Sequence, residues 1–185
     1  SYPRRTRCRL YCLSSPGICA SSSLRVEPSA YTRRRTAPCC KIHGHLGSGG
    51  WPPHDFTGLR DYYTYDFEDP ILEGTWTAAY WSAQSALTAA QIVRKGECAV
   101  YALCRPPGHH ATPDQYGGFC YLNNAAIATR ELCRDGAVAI LDVDYHHGNG
   151  TQAIFYADPR VIYVSLHADP TLDYPHFWGY GDEAG

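Results

Sequence analysis

Residues 137–148 read Ala-Val-Ala-Ile-Leu-Asp-Val-Asp-Tyr-His-His-Gly, an aliphatic run that ends abruptly in two acids and two histidines. A short aliphatic run is typical of a strand buried on both faces of a parallel sheet. Because side chains two residues apart share a face of a strand, Asp142, Asp144 and His146 point the same way if the strand continues to His146. Ligands bind at the carboxyl ends of strands in open α/β sheets, and these donors suit zinc or a similar divalent ion. A polar strand end with solvated side chains is the alternative interpretation.

A second stretch has the same form. Residues 98–104 (Cys-Ala-Val-Tyr-Ala-Leu-Cys) predict another short buried strand, and Arg-Pro-Pro-Gly-His-His follows at 105–110. The prolines and the glycine predict a loop that presents His109 and His110 at the carboxyl end of this strand. Imidazole side chains transfer protons near neutral pH, so this pair indicates acid–base chemistry beside a candidate metal site.

Four motifs, in this order, resemble those of the zinc-dependent histone deacetylase superfamily: RPPGHHA at 105–111, GGFCYLNN at 117–124, LDVDYHHGNG at 141–150 and VSLH at 164–167. Three further matches are most similar to its acetylpolyamine amidohydrolase branch, namely Gly74-Thr75-Trp76, Asp169-Pro170 and Asp173-Tyr174-Pro175. The resemblance covers residues 65–185. It implies a hydrolase that removes acetyl groups from acetylated amines.

The resemblance also implies how metal ions would be held. Asp144 and His146 would be zinc ligands, and zinc polarises an acetyl carbonyl and lowers the pKa of a bound water. A structural monovalent cation such as K⁺ would be held by Asp142, by backbone oxygens of Asp144, His146 and Leu166, and by the hydroxyl of Ser165.

Proton transfer is assigned by the same resemblance. His110 would be general base towards the attacking water and then general acid towards the leaving amine. His109 would assist electrostatically, and Asp142 would orient it. Asn149 would be the partner of His110, and a neutral partner favours the charged imidazole less strongly than a carboxylate does.

The substrate would enter a narrow tunnel. By resemblance Gly118 and Phe119 line one wall of this tunnel, although core packing is the default interpretation of an isolated Phe. Residues 51–74 are rich in aromatic and turn residues and would form loops near the mouth, where tyrosines and acids suit a cationic amine. We expect an acetylated polyamine as substrate, with acetyl-lysine on protein as the alternative. The residues do not determine the oligomeric state, and the resemblance implies a homodimer as one candidate assembly, since members of this branch tend to dimerise.

The alternation of strands and helices predicts parallel βαβ units. Helices are expected at 75–94 with Thr75 as N-cap, at 124–134 behind Asn123, and as a short turn near 151–156. Trp76 and several alanines recur at helical spacing in the first helix and are predicted to pack in the core. Strands are expected at 98–104, 137–146 and 161–167. The fold class is therefore α/β, a three-layer α/β/α arrangement with a mainly parallel sheet, similar to arginases and deacetylases and truncated at its carboxyl end.

Two parts of the family's site are missing from the motifs. The resemblance places a third zinc ligand, an Asp, and an oxyanion-stabilising Tyr further along than Gly185. Asp173 and Asp182 lie too early for the ligand, and Tyr180 lacks the context of the Tyr. A catalytic zinc usually has three protein ligands, and loss of one oxyanion donor typically costs ~100- to 1,000-fold in turnover. We therefore expect an incomplete catalytic domain that is nearly inactive alone.

Two alternative functions stay open. The chain could be a truncated, non-catalytic module that binds acylated amines or regulates a full-length homologue, and weak zinc binding without turnover would favour this. It could instead be an arginase-like hydrolase, which a second metal ion per chain would favour. The Pro-Gly-His-His loop and the Asp-x-Asp-x-His-His pattern argue against the arginase interpretation.

Residues 1–50 differ from the rest in composition. They are rich in Arg, Ser, Pro and Gly, and Gly47-Ser48-Gly49-Gly50 ends them like a linker. We predict an irregular or disordered basic leader at 1–50 and the amino-terminal part of a deacetylase domain at 51–185. An organelle transit peptide is a weak alternative. Cys39, Cys40, His43 and His45 fit no zinc spacing.

The net charge of −2 divides unevenly, with +8 on residues 1–49 and −10 on the remainder. The acidic part suits a cationic substrate and gives no reason to expect nucleic-acid binding. The apolar runs are too short for a membrane span. The four cysteines after residue 50 are interpreted as small buried side chains in a reducing compartment, and a cytoplasmic location is expected.

Overall fold

The structure is a computed structural model that describes Cys12–Leu13, residues 63–66 and residues 68–184. Four strands and three helices lie in this part of the chain. In chain order they are β1 (Cys12–Leu13), α1 (Thr75–Arg94), β2 (Tyr101–Ala102), α2 (Asn124–Leu132), β3 (Val138–Asp142), α3 (Asn149–Phe155) and β4 (Val161–Ser165).

The strand pairs are parallel. β1 pairs with β2, and β3 pairs with β4 in a register that runs from Val138 opposite Val161 to Asp142 opposite Ser165. Helix α3 connects β3 to β4, so these three elements form the βαβ unit that the sequence predicts. Because the strands are parallel, Asp142 and Ser165 meet at the same end of the sheet.

Helix α1 packs on α2 through a stripe of small side chains. The stripe recurs at helical spacing, which lets the two helices approach closely, and its buried alanines are Ala79, Ala83, Ala86 and Ala90. Arg94 at the end of α1 contacts Glu131 of α2 at 2.5 Å and Asp135 at 2.6 Å. Trp76, which helical spacing also predicted to be buried, is instead 56% exposed, and it lies in the first turn, before the first buried alanine, Ala79.

The two long helices begin differently. Gly74, with φ 89°, is the N-cap of α1, and Thr75 is its first residue. The prediction of Thr75 as N-cap is wrong, because its hydroxyl faces backwards and accepts a hydrogen bond from Leu72 N at 2.9 Å. Asn123 caps α2 as predicted, and its side chain accepts from Ala126 N at 2.9 Å.

The predicted burial of the strands is wrong in part. Within 98–104 only Tyr101–Ala102 is strand, and Tyr101 is exposed. Half-buried and exposed residues alternate along β3, and Leu141 is 64% exposed. Helix α2 packs against β3, and among the described residues the opposite face has no comparable cover. β3 also ends at Asp142 and does not continue to His146, because the chain turns there.

The cysteines also differ from expectation. Cys120 and Cys133 are free and buried as predicted, and Cys104 is free and half-buried. Cys98 is exposed and disulfide-bonded, so the interpretation of all four as buried free thiols is wrong for that residue. The candidate site at Cys39, Cys40, His43 and His45 lies outside the described residues. In the described part, no helix is long and apolar enough to cross a membrane.

Candidate active site

The carboxyl end of β3 supplies a half-buried carboxylate that holds one histidine. Asp142 Oδ2 lies 2.9 Å from His109 Nδ1 and 3.0 Å from the Tyr163 hydroxyl, which comes from β4. Burial works to raise the pKa of Asp142, but the hydrogen bond and charge of His109 keep it below its usual value. An ionised Asp142 therefore accepts a hydrogen bond from His109 Nδ1–H. The other ring nitrogen of His109, Nε2, does not contact Asp142.

Asp144 and His146 lie in the turn that follows β3. Asp142 Oδ1 accepts from Asp144 N at 3.1 Å, and Asp144 Oδ1 accepts from His146 N at 2.9 Å. These two bonds fold the chain back, so Asp144 Oδ1 lies 3.7 Å from His146 Nδ1 and 4.0 Å from His109 Nε2. The side chains converge as the sequence predicts, but through turn hydrogen bonds and not along one face of a strand.

His110 occupies a different environment from its neighbour. It is buried, its Nδ1 lies 2.8 Å from Asn149 Oδ1, and its ring centroid is 4.0 Å from that of His109. Burial and the neighbouring His109 lower the pKa of His110 to about 4, despite the hydrogen bond with Asn149. An uncharged His110 that donates from Nδ1 to Asn149 keeps the Nε2 lone pair free to accept a proton.

Two tyrosines contact His110. The sequence motifs did not predict this contact for either of them. Tyr65 donates to His110 O at 2.5 Å and accepts from Asn149 Nδ2 at 3.4 Å. The Tyr174 ring lies edge-on to His110 at 4.9 Å and to His146 at 5.9 Å between centroids. Tyr174 stood inside a matching motif, whereas Tyr65 is one of several aromatic residues in a loop-rich segment. Only the tertiary contacts distinguish it from the others.

A tight hairpin turn at Gly118 and Phe119 lies against His110. Gly117 and Cys120 pair through two backbone hydrogen bonds, and both central residues have positive φ, 57° at Gly118 and 60° at Phe119. A Cβ at Gly118 would lie 2.3 Å from His110 Cδ2, so only glycine permits this approach. Phe119 is 57% exposed, which contradicts the core-packing interpretation of its side chain.

The residues predicted to hold a monovalent cation meet where β3 and β4 end. Asp142 and Ser165 are opposite each other in the register, and Leu166 N donates to Asp142 O at 2.9 Å. The Ser165 hydroxyl lies 2.8 Å from His167 Nδ1 and 3.2 Å from His147 Nδ1. The parallel register thus gathers Asp142, Ser165 and Leu166, and a cation role for the predicted residues stays a prediction.

The donors present fit part of a zinc site. A carboxylate oxygen and an imidazole nitrogen are good zinc ligands, and two ligands of a tetrahedral zinc ion lie about 3.3 Å apart, close to the distance between Asp144 Oδ1 and His146 Nδ1. Both side chains are accessible to solvent. Within residues 63–66 and 68–184, no group of three or more His, Cys, Asp and Glu side chains is arranged to hold a metal ion. Asp144 and His146 therefore fit as two ligands of a larger set.

Comparison with known proteins identifies the family of this chain. The histone deacetylase domain family matches residues 35–185. The chain belongs to the histone deacetylase domain family. It is 57% identical over 135 residues to acetylpolyamine amidohydrolase 1 of Pseudomonas aeruginosa, an alignment that covers 72% of this chain and 39% of that protein. It is 63% identical over 117 residues to acetylpolyamine amidohydrolase of Burkholderia pseudomallei, covering 63% of this chain and 34% of that protein.

Solved structures of the histone deacetylase family share the fold. A crystal structure of the acetylpolyamine aminohydrolase from Burkholderia pseudomallei superposes with a TM-score of 0.65 and 58% identity, over 68% of this chain and 36% of that one. A histone deacetylase homologue from Aquifex aeolicus gives a TM-score of 0.59 at 30% identity, over 68% of this chain and 34% of that one. The α/β fold class of the arginase and deacetylase type is therefore confirmed.

The chain is much shorter than the relatives that it matches. The chain spans between 34% and 39% of the length of the two relatives described above. The match begins at residue 35, inside the segment predicted as a basic leader. The domain boundary at residue 51 stays a prediction.

Proposed function

We propose that this chain is the amino-terminal part of a zinc-dependent deacetylase that hydrolyses the amide bond of an acetylated amine. The observation that carries the proposal is the pair of adjacent histidines with different partners. His109 faces the carboxylate of Asp142 and His110 the amide of Asn149, beside the accessible Asp144 and His146. Amide hydrolysis needs a proton acceptor for water and a proton donor for the leaving amine, and this arrangement supplies candidates for both.

Each of these residues would have its own role in amide hydrolysis. The free Nε2 of His110 would accept a proton from the attacking water and return it to the amine nitrogen. His109, held by Asp142, would stabilise negative charge that develops nearby. Zinc held by Asp144 and His146, with further ligands, would supply a polarised acetyl carbonyl and an acidified water. Potassium at the end of β3 and β4 would stiffen the turn that carries Asp144.

An acetylated polyamine is the substrate that we favour. The relatives named acetylpolyamine amidohydrolases are 57% and 63% identical to this chain, and residues 50–185 carry a charge of −10 that would attract a polycation. Phe119 and Tyr174 would flank the acyl-amine chain on its way to His110. Acetyl-lysine on protein is the alternative, and the predicted cytoplasmic location and homodimer belong to this proposal.

The chain alone should bind zinc weakly and turn over substrate poorly. The described residues offer two zinc ligands, whereas catalytic zinc usually has three. A non-catalytic module that binds acylated amines is therefore the second candidate function. The two differ in whether the same site hydrolyses substrate once the polypeptide is as long as its relatives.

Zinc titration of the purified chain against a competing chelator tests the metal site. We expect one zinc ion per chain, and His146→Gln should weaken binding at least about tenfold because a ligand is lost. His176→Gln is the matched control, since His176 is an exposed histidine outside the cluster. Equal effects of the two substitutions would refute the metal assignment.

Hydrolysis is tested by acetate release from an acetylated diamine and from an acetyl-lysine peptide. The test uses a polypeptide extended to the length of the relatives. We expect turnover that His110→Gln lowers by at least about 100-fold, since a general base is worth that much. Binding of the acetylated diamine without turnover by the extended chain would favour the binding module instead.

A further inference from the structure

The hairpin turn at Gly118 and Phe119 is held by acidic side chains that the function proposed above does not use. In such a turn the two central N–H groups lack backbone partners. Gly118 N instead donates to Asp66 Oδ2 at 2.5 Å, and Phe119 N donates to Asp69 Oδ1 at 2.7 Å. A positive φ is unfavourable for Phe119, so these two bonds stabilise a strained conformation.

Asp66 also holds the second aromatic residue of the site. The Tyr174 hydroxyl donates to the same Asp66 Oδ2 at 3.1 Å, while Glu68 N donates to Oδ1 at 3.1 Å. Asp66 thus accepts three hydrogen bonds, which stabilise its negative charge. A single carboxylate therefore connects the turn that carries Phe119 to the ring that covers His110 and His146.

Asp69, unlike Asp66, has few hydrogen bonds to stabilise a negative charge. It is only 6% exposed, it accepts one hydrogen bond at Oδ1, and its Oδ2 is buried without a hydrogen-bond partner. A buried carboxylate oxygen without a donor is costly when ionised. The adjacent N–H groups of Gly118 and Phe119 hold the two carboxyl groups side by side, and Asp66 and Asp69 can hydrogen-bond to each other only if a proton lies between them. The geometry therefore places the negative charge on Asp66 and the proton on Asp69.

We propose that Asp66 and Asp69 form a proton-sharing carboxyl pair that positions Phe119 and Tyr174 as the two flanks of the acyl-amine site. The pair would be a positioning device, since neither carboxyl group reaches the histidines. The assignment of the flanks to a substrate rests on the proposed function. The hydrogen bonds of the pair do not.

Titration of Asp69 gives the pair a pH dependence. Burial, together with the hydrogen bond and negative charge of Asp66, raises the pKa of Asp69 to about 7. The other ionisable groups that face the pair are Glu68, Cys120 and three tyrosines, Tyr65, Tyr121 and Tyr174. The turn is closed when its two N–H groups bind the carboxyl groups, and open when these bonds are broken. In the open turn Asp69 would have an ordinary pKa of about 3.9. The proton therefore favours the closed turn at low pH, and this preference is lost as the pH rises to about 7.

Amide hydrogen exchange of Phe119 in the chain of 185 residues tests the pair directly. After correction for intrinsic exchange, we expect protection at pH 5 to exceed that at pH 8 by at least about tenfold. Asp69→Asn should keep protection constant within about twofold, because its oxygen still accepts from Phe119 N and its amide can donate to Asp66. Asp69→Ala should lower protection at pH 5 by at least about tenfold.

Glu73→Gln is the matched control, since Glu73 is an exposed acid in the same segment. This substitution should leave the pH dependence of Phe119 exchange unchanged. The Ala126 amide, which Asn123 caps, reports whether a variant still folds. If Asp69→Ala unfolds the chain, the unaltered chain and Asp69→Asn decide the matter by their pH profiles. Full protection in a folded Asp69→Ala chain, or a flat profile in the unaltered chain, would overturn the proposal. Failure of an acetylated diamine to bind counts only against the proposed function.

Discussion

At the scale of single residues, the candidate site depends on the difference between two neighbouring histidines. His109 faces an ionised carboxylate, while His110 is buried against a neutral amide. Burial dominates at His110 and lowers its pKa to about 4, so it is uncharged at neutral pH. Two identical side chains thus acquire different chemistry from their burial and their partners.

Asn149→Asp should change this chemistry in a defined direction. A carboxylate in place of the amide favours the charged imidazole, so we expect the pKa of His110 to rise by at least about one unit. NMR titration of the His110 Cε1 proton in the metal-free chain measures the shift. Exposed His176 is the internal control in the same spectra. A pKa of His110 that does not respond would show that Asn149 is not its effective partner.

Gly118→Ala should be costly because the residue has a positive φ and contacts His110 closely. We expect a loss of about 1–3 kcal/mol in the free energy of unfolding, measured by urea denaturation. Gly136→Ala is the control, since nothing lies within 4 Å of a Cβ at that glycine, and it should change stability by less than about 1 kcal/mol. Similar losses at the two positions would contradict the close-contact argument.

At the scale of elements, the start of α2 connects the helix to the histidine loop. Asn123 is fully buried and accepts from Ala126 N. Its Nδ2 donates to Ala111 O and to Thr151 Oγ1, both at 3.1 Å. One side chain therefore caps α2 and ties it to the segment after His110 and to α3.

Asn123→Ala should lower the free energy of unfolding by about 2–3 kcal/mol, because the cap is lost and buried acceptors are left unpaired. Asn123→Ser keeps a capping oxygen and should recover about 1 kcal/mol of that loss. Urea denaturation followed by circular dichroism compares the two variants. Equal destabilisation by alanine and serine would mean that the cap contributes little.

At the scale of the whole molecule, one face of the β3–β4 sheet is apolar and exposed. The exposed residues alternate along both strands and continue just past them, and they include Leu141, Ile162, Val164 and Leu166. Contiguous apolar surface of this kind promotes association.

We expect the 185-residue chain to self-associate at micromolar concentration through this face, as measured by sedimentation velocity. Replacing Ile162 and Val164 by lysine should weaken association, because charged side chains on an exposed sheet face oppose pairing. Replacing Thr77 and Ala78 by lysine adds the same charge on an exposed part of α1 and should not. A chain that stays monomeric at tens of micromolar would contradict this expectation.

Much of the fold and part of the site could be read from local patterns. Turn chemistry and apolar periodicity predicted α1, α2, β3 and β4 with end points within a few residues, since these signals act between near neighbours. Motif order predicted which polar residues cluster at the strand ends. The errors at Trp76, Tyr101 and Leu141 share one cause, because burial depends on what packs against an element and not on the element itself.

The sequence alone therefore determined the family, the parallel βαβ unit and the identity of the histidines and acids that converge. The tertiary structure decided how they converge. It showed the turn hydrogen bonds that bring Asp144 to His146, the burial that keeps His110 neutral, and the distant Asp66 and Asp69 that hold the Phe119 turn. The turn hydrogen bonds join near neighbours, but the other two features arise between residues far apart in the chain, and Asp66 also contacts Tyr174 across 108 positions. Local pattern carries no information on such contacts, because their energies depend on distance and burial in the folded chain.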